Sequence, residues 1–417
     1  VSNFYSTNLK APPVSFREAL LKGLAPDGGL YIPGEIPKLS DSGLISLLSM
    51  DYPAIATVIM GNLIGDEIDR DEIFKICNDI YQFSIPVETV YKRNYIMRLD
   101  QGPTASFKDF AAQFMGKIMQ HFLNISNEYI TILTATSGDT GSAVARAFYG
   151  LENIRAVILF PAGEVTEMQR KQMTTLNENI RAVEIRGKFD DCQSLVKKAF
   201  MDSSLQYMRL SSANSINVGR LLPQSVYYFW AWSRISTGIN EPVVFSVPCG
   251  NFGNLAGGLI AKKMGLPVRK FIISTNSNNE VPEFLKKGEY QKITPSINCI
   301  SSAMNVGHPS NLARIITFYG GQMDEKGNII KSPDLKKMNT DFYSVSVSDD
   351  LTRETIEDCF EKYHIITEPH GAVAWYGLES YLKETGNETE ETGCPAVSLE
   401  TAHPGKFREE IERIIKV

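Results

Sequence analysis

Long apolar runs are missing from this chain. In 417 residues no stretch approaches the ~18 consecutive apolar residues that a membrane helix requires, so no membrane partner is expected. Cysteine is sparse as well. The six thiols, Cys77, Cys192, Cys249, Cys299, Cys359 and Cys394, include no C-x-x-C pair and no dense framework, which predicts reduced thiols, no disulfide scaffold and no metal site. Neither sign of charge dominates: 42 Lys and Arg stand against 48 Asp and Glu, a net charge of −6, and the Lys-Lys pairs are scattered rather than gathered into a stripe. Nucleic acid is therefore not an expected partner. Val1 to Pro13 has no apolar core of the kind a secretory leader carries, so a cytoplasmic protein is expected. Also absent are the G-x-x-x-x-G-K-[ST] and G-x-G-x-x-G loops, which disfavours nucleoside triphosphates and dinucleotides as ligands.

What is present describes a globular chain, 43% hydrophobic and 22% charged, long enough for two or three domains. Residues 1–90 combine early Pro-Gly punctuation with helical patterning and read as a mainly helical N-terminal domain. From residue 91 the pattern changes to short apolar strands alternating with helices, which predicts an α/β fold with parallel sheets covered on both faces. One such domain is expected over 91–220 and a larger one over 221–417. Each has a polar, glycine-containing loop after a strand, so a site is expected in the crevice at the carboxyl ends of the strands. Glu384–Gly393 reads as an acidic surface loop.

Three stretches carry chemistry. In Pro103-Thr-Ala-Ser-Phe-Lys-Asp-Phe110, Lys108 opens a helix whose apolar face is Phe110, Phe114, Met115, Ile118, Met119 and Phe122. The positive end of a helix dipole disfavours an ammonium, and burial adds to that, so Lys108 is placed to be the neutral amine that attacks a carbonyl. Thr136-Ser-Gly-Asp-Thr-Gly141 offers hydroxyls and N–H groups suited to a carboxylate, although a capped turn has the same sequence. Gly250-Asn-Phe-Gly-Asn254, between a strand and a helix, gathers N–H groups at a helix N-terminus as a phosphate cradle does; a tight turn alone would also use these glycines. Together they describe an imine-forming lysine, a substrate clamp and a cofactor anchor, the parts of a pyridoxal 5′-phosphate enzyme acting on an amino acid.

With Ser212-Ala-Asn-Ser-Ile-Asn217 and Arg220, Thr401-Ala-His-Pro-Gly-Lys406 and the early Ala25-Pro-Asp-Gly-Gly-Leu-Tyr-Ile-Pro33, these motifs stand in the order of a known family. The chain resembles the threonine synthases of the bacterial and fungal branch, fold-type II pyridoxal phosphate enzymes related to the tryptophan synthase β fold. The resemblance implies that Lys108 is the Schiff-base lysine, that Gly250, Asn251, Phe252, Gly253 and Asn254 hold the cofactor phosphate, and that Thr401 faces the pyridine nitrogen. It places Ser137, Asp139 and Thr140 at the substrate carboxylate and ring side, and Asn214, Ser215 and Arg220 at the substrate phosphate. The implied reaction converts O-phospho-L-homoserine and water to L-threonine and phosphate, in a monomer or homodimer. Relatives often have Asn where this chain has Asp139, and an ionised Asp there would repel a carboxylate. A serine or threonine dehydratase would share the lysine and cradle without the phosphate clamp, and a silent ligand-binding relative would have no use for Lys108. His370 and His403 read as structural histidines, Cys249 as a small core residue, and Tyr227-Tyr-Phe-Trp230 with Trp232 as packing; His308 carries no assignment.

Overall fold

The computed structural model describes residues 3–386 and 393–416. The N-terminal module is helical but not wholly so. Its helices Phe16–Lys22, Asp41–Leu47, Tyr52–Ile64 and Arg70–Ile80 start at Ser15, Ser40, Asp51 and Asp69, whose side chains each accept a backbone N–H of the first turn. Phe4–Ser6 and Tyr31–Pro33 pair as a short antiparallel ribbon. An aromatic cluster joins this module to the remainder: Tyr52 meets Tyr81, Phe110 and Trp230 edge-on at centroid distances of 4.9, 5.5 and 5.8 Å. The Tyr81 hydroxyl donates to the Phe110 carbonyl at 2.9 Å, which satisfies an otherwise isolated buried O–H.

Two sheets follow. The smaller has the spatial order Ile180–Ile185, Ile154–Pro161, Ile130–Ala135, Leu210–Ser211, all parallel. The larger runs Phe342–Ser346, Val268–Thr275, Val243–Pro248, Ala396–Glu400, Asn94–Arg98, Val87–Tyr91. It is parallel except for the outer strand Val87–Tyr91, which pairs antiparallel with Asn94–Arg98. The division expected at residue 91 therefore cuts through a hairpin, and that hairpin belongs to the larger sheet rather than the smaller. Its partner strand, Ala396–Glu400, lies three hundred residues on, so no local pattern could have announced the pairing. The helix Pro369–Thr385 runs into the acidic stretch expected as a loop, and residues 387–392 of that stretch lie outside the described residues. Among the described residues no helix is long and apolar enough to cross a membrane.

This topology gathers the motifs. The segment before Lys108 leaves strand Asn94–Arg98, residues 136–141 leave Ile130–Ala135, residues 249–254 leave Val243–Pro248, and Thr401 leaves Ala396–Glu400. All four are carboxyl ends of parallel strands, where open α/β sheets place their ligand crevice.

The helix Gly253–Lys263 is held against Leu222–Ser225 at backbone distance. A Cβ built on Gly257 would lie 2.8 Å from Gln224 Cβ and 2.9 Å from its carbonyl carbon. Gly257→Ala should therefore destabilise the chain by about 1–3 kcal/mol through overpacking, despite the gain of about 1 kcal/mol in helix propensity. Denaturant unfolding checks the sign: a stabilised variant would show that these two elements can separate freely.

Candidate active site

Lys108 begins the helix Lys108–Ser126, and the residues before it are fixed by Asp109. The buried Asp109 carboxylate accepts from Thr104 N at 2.8 Å and Thr104 Oγ1 at 2.6 Å, folding the loop back on the helix start. The far end of the sequence runs alongside. Phe107 N donates to Thr401 O at 2.9 Å and His403 N to Ala105 O at 3.0 Å, so the Thr401–Lys406 motif is tied by backbone bonds to the lysine loop.

Asp139 stands between two lysines. Its Oδ1 lies 2.8 Å from Lys406 Nζ and 3.0 Å from Gln169 Nε2, and its Oδ2 lies 3.6 Å from Lys108 Nζ. Burial alone would raise this carboxyl, but Lys406 and then Lys108 hold it well below the usual carboxylate range. The resemblance puts Asp139 at the substrate carboxylate and ring side; in the folded chain its own carboxylate is engaged by Lys406 and Gln169 and faces Lys108. Burial lowers the Lys108 amine, Asp139 partly restores it, and the positive charges of Lys406 and Arg220 lower it again. The closer contact is to Lys406, so the pair Asp139–Lys406 is neutral without Lys108, and the lysine can be the free amine that its chemistry needs.

In the 136–141 loop Thr136 Oγ1 accepts from both Gly138 N and Gly141 N, at 2.9 and 2.8 Å. Gly138 has φ +134°, a region barred to side chains, and the turn leaves Ser137 and Thr140 partly exposed at the start of helix Asp139–Phe148. Gly250 to Phe252 form the corresponding turn before helix Gly253–Lys263, with Phe252 at φ +60°. A Cβ on Gly250 would meet Ala303 O at 2.9 Å, so only glycine closes this loop against its neighbour. The Asn254 side-chain Oδ1 accepts the hydroxyls of Tyr227 and Tyr228, each at 2.6 Å, and its backbone N–H lies in the first turn of the cradle helix.

Arg220 is buried, and Nη1 donates to Ala213 O at 2.6 Å. Its Nε has no partner among the described residues, it forms no ion pair there, and burial pulls the guanidinium down to about 10. Asn214 and Ser215 are partly exposed on the loop before the helix Val218–Leu221 that carries Arg220, and Asn214 N donates to Ser212 Oγ at 3.2 Å. Thr401 is buried with its hydroxyl 3.4 Å from Glu368 Oε1. Behind it the fully buried Glu400 carboxyl, raised by burial and then by Glu368, accepts Glu368 N at 2.8 Å. His370 is satisfied at both ring nitrogens: Nε2 accepts Ala303 N at 3.0 Å, so Nδ1 carries the proton and donates to Glu368. That is the structural role expected of it. His403, exposed, accepts Gly405 N, and His308 meets the Tyr290 hydroxyl at 2.7 Å. Tyr227, Tyr228 and Trp232 are buried packing, and burial pushes the Cys249 thiol up, which makes it inert.

A family described as "Pyridoxal-phosphate dependent enzyme" matches residues 88–392, and one described as "Threonine synthase N terminus" matches residues 3–81. The chain is 42% identical to a threonine synthase of Buchnera aphidicola, over 97% of this chain and 89% of the relative. The chain belongs to the threonine synthase family. Two solved members show the same fold. The Escherichia coli threonine synthase has a TM-score of 0.88 at 36% identity, covering 99% of this chain and 91% of that one. The PLP-bound threonine synthase from Brucella melitensis has a TM-score of 0.91 at 33% identity, covering 100% and 92%. The family is of fold type II, and its members are pyridoxal phosphate enzymes. The residues present fit that cofactor: a glycine cradle at a helix N-terminus, a desolvated lysine, and buried amide donors at Asn254 Nδ2 and Asn311 Nδ2 that have no partner among the described residues.

Lys406, Gln169 and the Glu368–Glu400 pair were not assigned from the sequence. Lys406 lay within a quoted motif and could have been singled out as a second lysine; the others carry no local signal.

Removing the shared carboxylate tests the triad. Asp139→Asn should cost about 3–5 kcal/mol at neutral pH, because it leaves buried ammonium without its anion. In the parent the depressed Asp139 carboxyl contributes stability that is fully present above its ordinary value of 3.8 and is lost as pH falls below it. In the variant Lys108 releases its proton in the folded chain before the unfolded chain does, so stability should rise with pH up to about 10.4. Unfolding curves at several pH values measure both effects.

Proposed function

We propose that this enzyme converts O-phospho-L-homoserine and water to L-threonine and phosphate in the cytoplasm, with Lys108 as the catalytic residue. The observation that carries the substrate choice is Arg220: a buried guanidinium with a free Nε–H and no ion-pair partner among the described residues, in the short helix Val218–Leu221 that follows the loop presenting Asn214 and Ser215. A desolvated fork of this kind suits a phosphate dianion, and an uncharged hydroxyl substrate would leave it unsatisfied.

When bound, pyridoxal phosphate supplies an electron sink for the pair left behind when a proton departs from Cα of an amino acid. The residues proposed to hold it are Lys108, the backbone N–H groups of 250–254, and Thr401. The Lys108 amine takes the proton from substrate Cα, since burial favours its unprotonated form, the form that can act as a base. The same nitrogen then moves a proton at Cβ, so that phosphate leaves Cγ against Arg220, Asn214 and Ser215. Water adds its hydroxyl at Cβ, and the two protons taken from Cα and Cβ are replaced by one at Cγ, which becomes the methyl group, and one at Cα, giving threonine. Ser137, Thr140 and the N–H groups at the start of helix Asp139–Phe148 are proposed to hold the substrate carboxylate, with the helix dipole favouring its charge.

Purified protein given O-phospho-L-homoserine should release phosphate and threonine in equal amounts; ammonia and a 2-oxo acid instead would identify a dehydratase. Lys108→Ala should lose at least about 10²–10⁴-fold in turnover, and a variant within tenfold of the parent would remove the lysine from the mechanism. Arg220→Lys keeps the charge but not the planar fork, and should lose about 10–100-fold in kcat/KM for this substrate while binding of an unphosphorylated amino acid is unchanged. Equal losses for both ligands would place the guanidinium elsewhere.

A further inference from the structure

Asn311 lies outside every motif quoted above, on the loop before helix Leu312–Phe318, and it is fully buried. Its backbone N–H donates to Asn251 O at 3.2 Å, so its loop is tied directly to the glycine cradle. The side chain is pinned at one end only. Asn311 Oδ1 accepts from Arg314 Nη1 at 2.6 Å. A guanidinium has only donors, so the oxygen must face it and the amide nitrogen must face the other way. That nitrogen, Nδ2, has no partner among the described residues and lies 3.4 Å from where a Cβ on Gly253 would stand, at the first turn of the cradle helix. Leaving a buried amide donor unsatisfied is costly, and the position calls for an acceptor.

We infer that Asn311 is a further binding residue of the cradle, its Nδ2–H donating to a phosphate monoester seated at residues 250–254, and that Arg314 is the positioning residue that sets its orientation. The inference rests on the cradle being the seat of the cofactor's phosphate. Arg314 is fully buried and reaches four acceptors: besides Asn311 Oδ1 these are Tyr31 O at 3.1 Å, Ser215 O at 2.9 Å and Ile216 O at 2.6 Å. Through it the cradle amide, the loop carrying Asn214 and Ser215, and the ribbon of the N-terminal module are held by one planar group. Phosphate of the cofactor and phosphate of the substrate share the same chemistry, and the measurements below separate them.

Asn311→Asp keeps the acceptor for Arg314 and replaces the donor with a negative oxygen facing the anion. The cofactor-free full chain should keep its melting temperature or gain, while its affinity for pyridoxal phosphate falls about 10–100-fold and its affinity for pyridoxal, which lacks the phosphate, stays within about twofold. Inorganic phosphate should compete less well in the variant. If pyridoxal phosphate binding is unchanged but KM for O-phospho-L-homoserine rises by that factor, the phosphate that Asn311 holds is the substrate's. Unchanged binding of both phosphates, or equal losses for pyridoxal phosphate and pyridoxal, would overturn the inference. Asn311→Ala repeats the comparison without added charge. Arg314→Lys should lower the ratio of pyridoxal phosphate to pyridoxal affinity in the parent and leave it unchanged in the Asn311→Ala background, whereas a merely structural arginine would change neither. Failure of the parent to bind pyridoxal phosphate at all would sink the cofactor reading itself, separately from Asn311.

Discussion

One carboxylate shared by two lysines is the constraint to which the rest of the site is fitted. Asp139 comes from the smaller sheet, Lys108 from the loop after a strand of the larger, and Lys406 from the last strand's extension, so the ion triad can form only when three distant pieces of chain are assembled. A buried ion pair is a weak source of net stability but a strong source of specificity, since removing one member strands the others. Here the arithmetic of charge has a chemical consequence as well. Two ammoniums and one carboxylate leave a buried surplus of one positive charge, and the group that can shed it is the lysine 3.6 Å away rather than the one at 2.8 Å.

That assembly explains which parts of the molecule were legible in sequence. Lys108, the two glycine loops and the alternation of strand and helix are local features: a dipole, a φ > 0 requirement and a hydrophobic period of a few residues. Each was visible within a window of about ten residues and each is found where expected. The resemblance to threonine synthases added Thr401, Arg220 and the Asn214 loop, which spacing alone does not assign. What could not be read depends on contacts across hundreds of residues. The hairpin Val87–Arg98 joins the larger sheet because its partner is Ala396–Glu400. Asp139 is paired with Lys406, which arrives from the far end of the sequence.

The two buried arginines show how partners, rather than burial, separate a structural charge from a receptive one. Both lack a carboxylate within reach among the described residues, and burial pulls Arg314 down to about 9 and Arg220 to about 10. Arg314 is nevertheless saturated, with three carbonyls and one amide oxygen around its plane. Carbonyl dipoles compensate a cation without neutralising it, and they fix its orientation, so this group is a strut. Arg220 has the same cost of desolvation but one protein acceptor and an idle Nε–H. Its compensation has to come from outside the chain, and the only ligands that return so much to a dry guanidinium are planar or tetrahedral oxyanions presented face to face with the fork. Folding this chain thus leaves an uncompensated positive charge whose field reaches Lys108, and the proposed phosphorylated substrate is a ligand of the class that would remove it.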